Sequence, residues 1–177
     1  MAIEIERKFL VRSEAWRRQA SRSEHIVQGY LANIAKSSVR VRLAGSRAWL
    51  SVKSMTSGVV RQEFEYSIPP RDAREMLETL CEGPLLEKRR HEVRCDASRY
   101  EVDEFRGRNA GLVVAEIELD SEGEEFTRPD WLGEEITSRL RYFNFRLNSR
   151  PFEDWPRDDR DAARAGRHLE STPDRVP

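Results

Sequence analysis

Lysine is scarce in this 177-residue chain: of 31 basic residues only Lys8, Lys36, Lys53 and Lys88 are lysine. Cysteine and histidine are scarcer still, limited to Cys81 and Cys95 and to the scattered His25, His91 and His168. Neither set has the spacing of a zinc or redox site, so both cysteines read as reduced, packed residues. No apolar run approaches the roughly 20 residues of a membrane span, and the N-terminus reads directly into a strand with no signal peptide. Basic residues do not outnumber acidic ones, 31 against 32, which excludes the profile of a basic nucleic-acid-binding protein. The chain is expected to be cytoplasmic, with no nucleic acid or membrane as partner; a homodimer is left open.

What is abundant is charge, 36% of residues against 38% hydrophobic, and it is ordered along the chain. Residues 3 to 9 alternate strictly, with Ile3, Ile5 and Phe9 on one side and Glu4, Glu6 and Lys8 on the other. Arg40 and Arg42 oppose Val39, Val41 and Leu43; Arg61, Glu63 and Glu65 oppose Phe64 and Tyr66; Glu116 and Glu118 oppose Val113, Ala115, Ile117 and Leu119. Period-two alternation predicts strands with one apolar and one ionic face. A plain solvent face mixes Ser, Thr and Gln with both charge signs, whereas these faces sort into carboxylate pairs and cation pairs. The sorting points to one shared, charged cavity. Lys8, Lys53 and Lys88 all fall on these strand-like segments; in a chain that otherwise writes Arg, an ammonium is the marked choice, because it can be tuned to lose its proton.

The length suits one domain and a tail. The pattern predicts a short helix after Ser13, strands near 25–33, 38–44, 47–54 and 59–68, and turns at Ala44-Gly45-Ser46 and Thr56-Ser57-Gly58. An amphipathic helix follows over 70–82 and strands near 85–94, 99–105 and 111–120. Residues 129–148 read as helical from the spacing of Ile136, Leu140, Phe143 and Leu147. The domain is placed at 1–152, and 153–177, rich in Arg, Asp and Pro, reads as a disordered or weakly helical tail. The fold class is α+β, dominated by antiparallel strands.

In order along residues 1 to about 150, Glu4-x-Glu6-x-Lys8, Gln28-Gly29-Tyr30-Leu31, Arg40-x-Arg42, Lys53, Arg61-x-Glu63-x-Glu65, Lys88-x-Arg90, Glu101-x-Asp103-x-Phe105, Glu116-x-Glu118 and Tyr142-x-Asn144 resemble the successive motifs of the CYTH family, also called triphosphate tunnel metalloenzymes. One such triplet is weak; the ordered set is specific. The resemblance implies a closed eight-stranded antiparallel β-barrel with flanking helices, whose charged lumen binds a triphosphate with a divalent metal.

A triphosphate carries about four negative charges and an unpaired buried charge is costly, so the lumen must supply cations. Lys8, Arg40, Arg42, Lys53, Arg61, Lys88 and Arg90 are the expected substrate-binding set. Carboxylates beside a polyanion only repel it unless they hold a metal. Glu4, Glu6, Glu63, Glu65, Glu116 and Glu118 are therefore expected to form a hard-oxygen site for Mg²⁺ or Mn²⁺, with Asp103 either joining them or orienting an arginine. By resemblance the water-activating pair falls on Lys88 and Tyr30, with Lys8 as the competing base.

The implied reaction is metal-dependent hydrolysis of tripolyphosphate to pyrophosphate and phosphate. A class IV adenylyl cyclase and a thiamine triphosphatase would use the same tunnel, with Trp49 or Trp131 available to stack on an organic ring. A noncatalytic polyphosphate-binding module would need only the cations, and the six glutamates argue against it.

Overall fold

The computed structural model describes residues 2–34, 36–54 and 60–169. The ordered alternation folds as expected into antiparallel strands: β1 (Ala2–Val11), β2 (Ala20–Ile34), β3 (Ser37–Ala44), β4 (Arg47–Ser54), β5 (Val60–Ser67), β6 (Glu82–Cys95), β7 (Ser98–Phe105), β8 (Val113–Glu118) and β9 (Leu132–Glu135). Gly45, at φ +55, makes the turn between β3 and β4 that side chains with a Cβ rarely adopt. The turn expected at Thr56-Ser57-Gly58 lies outside the described residues.

The strands neighbour one another in the order β5-β4-β3-β2-β6-β7-β8-β1, and β5 pairs back onto β1, closing an eight-stranded barrel. Closure aligns Glu4 with Arg61 and Ala2 with Glu63. The other edge of β1 carries β8, aligning Glu6 with Glu118 and Lys8 with Glu116. Beyond β5, the free stretch of the first edge is taken by β9, with Phe9 opposite Glu135. Because directly opposed residues share a face, this register turns the ionic faces inward together.

Three apolar clusters surround the lumen. Phe9, Trp16, Val93, Tyr100, Val102, Ala115 and Ile117 pack outside β1, β6, β7 and β8. Val41, Ala48, Ala73 and Leu77 seat the helix α1 (Pro70–Thr79) on β3 and β4. Leu10, Leu86, Phe105, Leu112 and Val114 continue the inner faces and meet Ile136, Tyr142, Leu147, Phe152, Trp155 and Ala163, forming an apolar plug at the barrel end where β6 and β8 begin.

Three expectations are corrected here. The segment after Ser13 is a 3-10 helix, Glu14–Gln19, and Ser13 makes no side-chain cap. Residues 129–148 are not one helix: they give β9, a 3-10 turn at Leu140–Tyr142 and only the short α2 (Asn144–Ser149). Pairing with β1 takes the segment out of a helix, with the Ile136 amide committed to the Lys8 carbonyl at 2.8 Å, and Gly133 permits the close approach, since a Cβ there would stand 2.6 Å from the Gly166 carbonyl oxygen. Nor are residues 153–169 a loose tail. A turn at Phe152–Asp154 leads into α3 (Arg157–Arg164), which buries Ala162 and Ala163 and ion-pairs buried Asp159 with Arg141 at 2.9 Å.

Candidate active site

The lumen is a cavity of about 1410 Å³ inside the barrel. Among the described residues its lining holds eight cationic and eight anionic side chains, and most are paired across strands. Lys53 on β4 contacts Glu4 at 2.9 Å and Glu63 at 2.9 Å; Arg61 on β5 contacts Glu6 at 2.5 Å and Glu4 at 3.6 Å. Lys8 contacts Glu6 at 2.8 Å and hydrogen-bonds Glu116. Arg42 donates to Glu65 at 2.9 Å, Arg40 donates to the Ser51 hydroxyl at 3.3 Å, and that hydroxyl donates to Glu65 at 2.9 Å. Arg90 donates to Asp103 at 2.7 and 2.8 Å, to Glu116 at 2.6 Å and to Glu101. Asp103 also accepts from Lys88, so it orients a lysine and an arginine together.

Every expected substrate-binding residue except Lys88 lines this cavity, as do the carboxylates of the expected metal set. Lys88 shares the inner face of β6 with Arg90 but lies toward the plug, 2% exposed, joined to the cavity lining through Asp103 and Arg90. Tyr30 lines the cavity, but it stands opposite Glu82, whereas Lys88 stands opposite Ile26, about 13 Å away along β2. The charges acting on Tyr30 are instead those of Arg40, Lys8 and Arg61.

Burial pushes the Tyr30 phenol up to about 12, so it remains a neutral donor. The two candidate lysines diverge. Burial acts to lower Lys8, but Glu116 and Glu6 outweigh it and hold the ammonium above its ordinary range. Lys88 is lowered to about 8, first by burial and then by Arg90, with Asp103 only partly opposing. Glu116 is held well below the usual carboxylate range: burial opposes this, but Lys8 and Arg90 prevail. Glu118 goes the other way, raised by burial and then by the surrounding Glu4, Glu101, Glu6 and Glu63.

Those shifts test the fit of a divalent cation. Among the described residues no three carboxylate, imidazole or thiolate groups converge tightly enough to hold an ion, because most of the carboxylates are engaged by Lys or Arg. Glu118, without a cation and crowded by like charge, and a lining whose charges already balance, both suit an added metal: a polyanion entering alone would leave the lumen strongly negative.

The CYTH domain profile matches residues 2–150. The chain belongs to the CYTH family. It is 43% identical over 155 residues to an inorganic triphosphatase of Acetivibrio thermocellus, a match covering 88% of this chain and 99% of that protein. It is 36% identical over 145 residues to an inorganic triphosphatase of Nitrosomonas europaea, covering 80% and 93% of the two chains. The crystal structure of the inorganic triphosphatase NE1496 superposes with a TM-score of 0.61 at 32% identity, over 84% of this chain and 95% of that one.

This CYTH barrel also uses residues to which the motifs assigned no role. Glu101 and Ser51 complete the ion-pair web, and Phe143, Asn144, Phe145 and Arg146 line the cavity from in and beside α2. The signal of the last four was masked by the helical spacing of Ile136, Leu140, Phe143 and Leu147 across 129–148. Trp131 is 3% exposed in the outer core, where its indole donates to Gln19, so it cannot stack on a ligand. Trp49 lines a smaller depression at the opposite barrel mouth, with the guanidinium carbons of Arg42 and Arg47 at 4.9 and 5.2 Å from its ring.

Proposed function

We propose that this chain is a metal-dependent inorganic triphosphatase, cleaving tripolyphosphate to pyrophosphate and phosphate in the barrel lumen. The observation that carries the reading is the lining itself, in which eight cations and eight carboxylates face one another inside a closed barrel and balance before any ligand enters. Such a web can exchange partners: phosphate oxygens replace carboxylates on Lys8, Arg40, Arg42, Lys53, Arg61 and Arg90, and the released carboxylates face a divalent cation. Glu4, Glu6, Glu63 and Glu118 are the proposed core of that metal site, with Glu65 and Glu116 at its margin. Mg²⁺ or Mn²⁺ bound there would neutralise phosphate charge.

The residues of the chain then have separable tasks. Lys8, whose ammonium is held charged, binds phosphate. Lys88 is the proposed proton acceptor, acting through the Asp103 and Arg90 contact, because about 8 is within reach of working pH. Tyr30, neutral near Arg40 and Lys8, donates a hydrogen bond. Phosphoryl transfer needs mainly this positioning and charge neutralisation. The free thiols of Cys81 and Cys95 fit a cytoplasmic location.

With Trp131 in the core and Trp49 flanked by two arginines, no observation favours an organic triphosphate. The test offers the purified protein tripolyphosphate, ATP and thiamine triphosphate in parallel with Mg²⁺ or Mn²⁺, and measures phosphate and cyclic AMP. Phosphate from tripolyphosphate, lost in EDTA, is expected; cyclic AMP from ATP without tripolyphosphate cleavage would replace this reading with the cyclase one.

A further inference from the structure

Among the described residues, Arg146 is the lumen cation that contacts no carboxylate. Among the described residues lining the cavity, Lys8, Arg40, Arg42, Lys53, Arg61 and Arg90 each pair with carboxylates of the lumen, and Arg99 pairs with Glu92 at 3.1 Å. Arg146 contacts none; its guanidinium carbon lies 5.4 Å from the Phe145 ring. Phe145 packs edge-on against Phe143 with centroids 5.9 Å apart, and Phe143 in turn faces the Arg61 guanidinium at 5.3 Å. The Phe143–Phe145 pair therefore sets Arg146 beyond Arg61 on the cavity wall.

The base of Arg146 is fixed. Leu147 beside it is fully buried in the plug, and the Asn148 amide donates to the Pro84 carbonyl at the start of β6. Glu118, which no cation neutralises, ends β8 and so stands toward the opposite end of the antiparallel barrel. The lumen thus has an unengaged cation at the α2 end and an unengaged carboxylate toward the other. Arg146 is half-buried on the wall and gains no ion pair in the free protein; an entering anion supplies the missing partner.

We infer that Arg146 is a further substrate-binding residue, whose guanidinium takes phosphate oxygens of the triphosphate at the α2 end of the lumen. The inference rests on the triphosphatase reading and adds a residue outside the barrel strands to the site.

The test compares wild type, Arg146→Gln, Arg146→Lys and the exposed control Arg150→Gln, measuring KM, kcat, melting temperature and the Kd for tripolyphosphate by titration. A lost charge-assisted bond predicts that Arg146→Gln raises KM and Kd about 10- to 100-fold. Melting temperature and kcat should change little, Arg146→Lys should recover most of the affinity, and Arg150→Gln should match wild type. Unchanged Kd in Arg146→Gln, or a loss that lysine does not restore, overturns the assignment. A wild type that binds tripolyphosphate without cleaving it refutes hydrolysis, and the Kd comparison still decides the role of Arg146; a wild type that does not bind refutes both.

Discussion

Asp159, on α3, meets Arg141 at 2.9 Å with side chains 1% and 10% exposed. Arg141 also lies over the Trp155 ring, 3.8 Å from its centroid, and Tyr142 beside it reaches His168 at 3.1 Å. The C-terminal segment is thereby bolted to the plug from which α2 projects into the lumen.

Removing that bolt should cost stability. Asp159→Ala leaves Arg141 buried without its carboxylate, an expected loss of about 3 kcal/mol, or roughly 10 °C in melting temperature. Truncation after Trp155 should do at least as much, since it also removes buried Ala162 and Ala163. A melt of either variant that superimposes on wild type would show that the segment merely rests on the barrel.

Lys88 makes a pH prediction. Its ammonium is lowered to about 8 by burial and by Arg90, so the neutral, proton-accepting fraction grows as pH rises through 8. The wild-type kcat should therefore climb across that range and level off above it. Lys88→Arg, which cannot accept a proton, should lose roughly 100-fold or more in kcat with KM nearly kept. An unaltered pH profile in that variant would remove Lys88 from the proton transfer.

Glu118 separates metal binding from folding. Crowded by Glu4, Glu6, Glu63 and Glu101 and raised by burial, it should be a better neutral residue than a charged one in the metal-free protein. Glu118→Gln should keep or raise the melting temperature without metal while weakening Mn²⁺ binding at least tenfold, read by titration. Full metal affinity in this variant would place the ion elsewhere.

Glu4→Gln should behave differently, because Glu4 also holds Lys53 and Arg61. Loss of metal-dependent turnover is expected together with a lowered melting temperature of the metal-free form, of order 1 kcal/mol in stability. Turnover that persists in this variant, or in EDTA, would contradict metal dependence.

The barrel was legible because period-two alternation survives when the inner face is ionic: Glu4, Glu6 and Lys8 announce a strand as plainly as Ile3 and Ile5 do. What alternation cannot carry is who meets whom. The cations read as phosphate ligands and the carboxylates read as metal ligands turn out to hold one another, through a register that reaches across 49 residues where Lys53 meets Glu4. Helical spacing misled over 129–148 because Ile136, Tyr142 and Leu147 reach one apolar plug from a strand end, a turn and a short helix in succession. The tail misled for another reason: past Trp155, the described residues it buries are Asp159, Ala162, Ala163 and Gly166, which carry almost no hydropathy signal.

The ladder that closes the barrel pairs Ala2–Ile5 of β1 with Val60–Glu63 of β5, and it carries Glu4, Arg61 and Glu63 as it does so. The chain's first strand is thus a zip, and its teeth line the lumen. Any ligand bridging Arg61 and Lys53 to the carboxylates of β1 fastens that zip, so occupancy and the integrity of the cylinder become a single cooperative event. Amide exchange along residues 2–5 and 60–63 would then report binding as directly as turnover does.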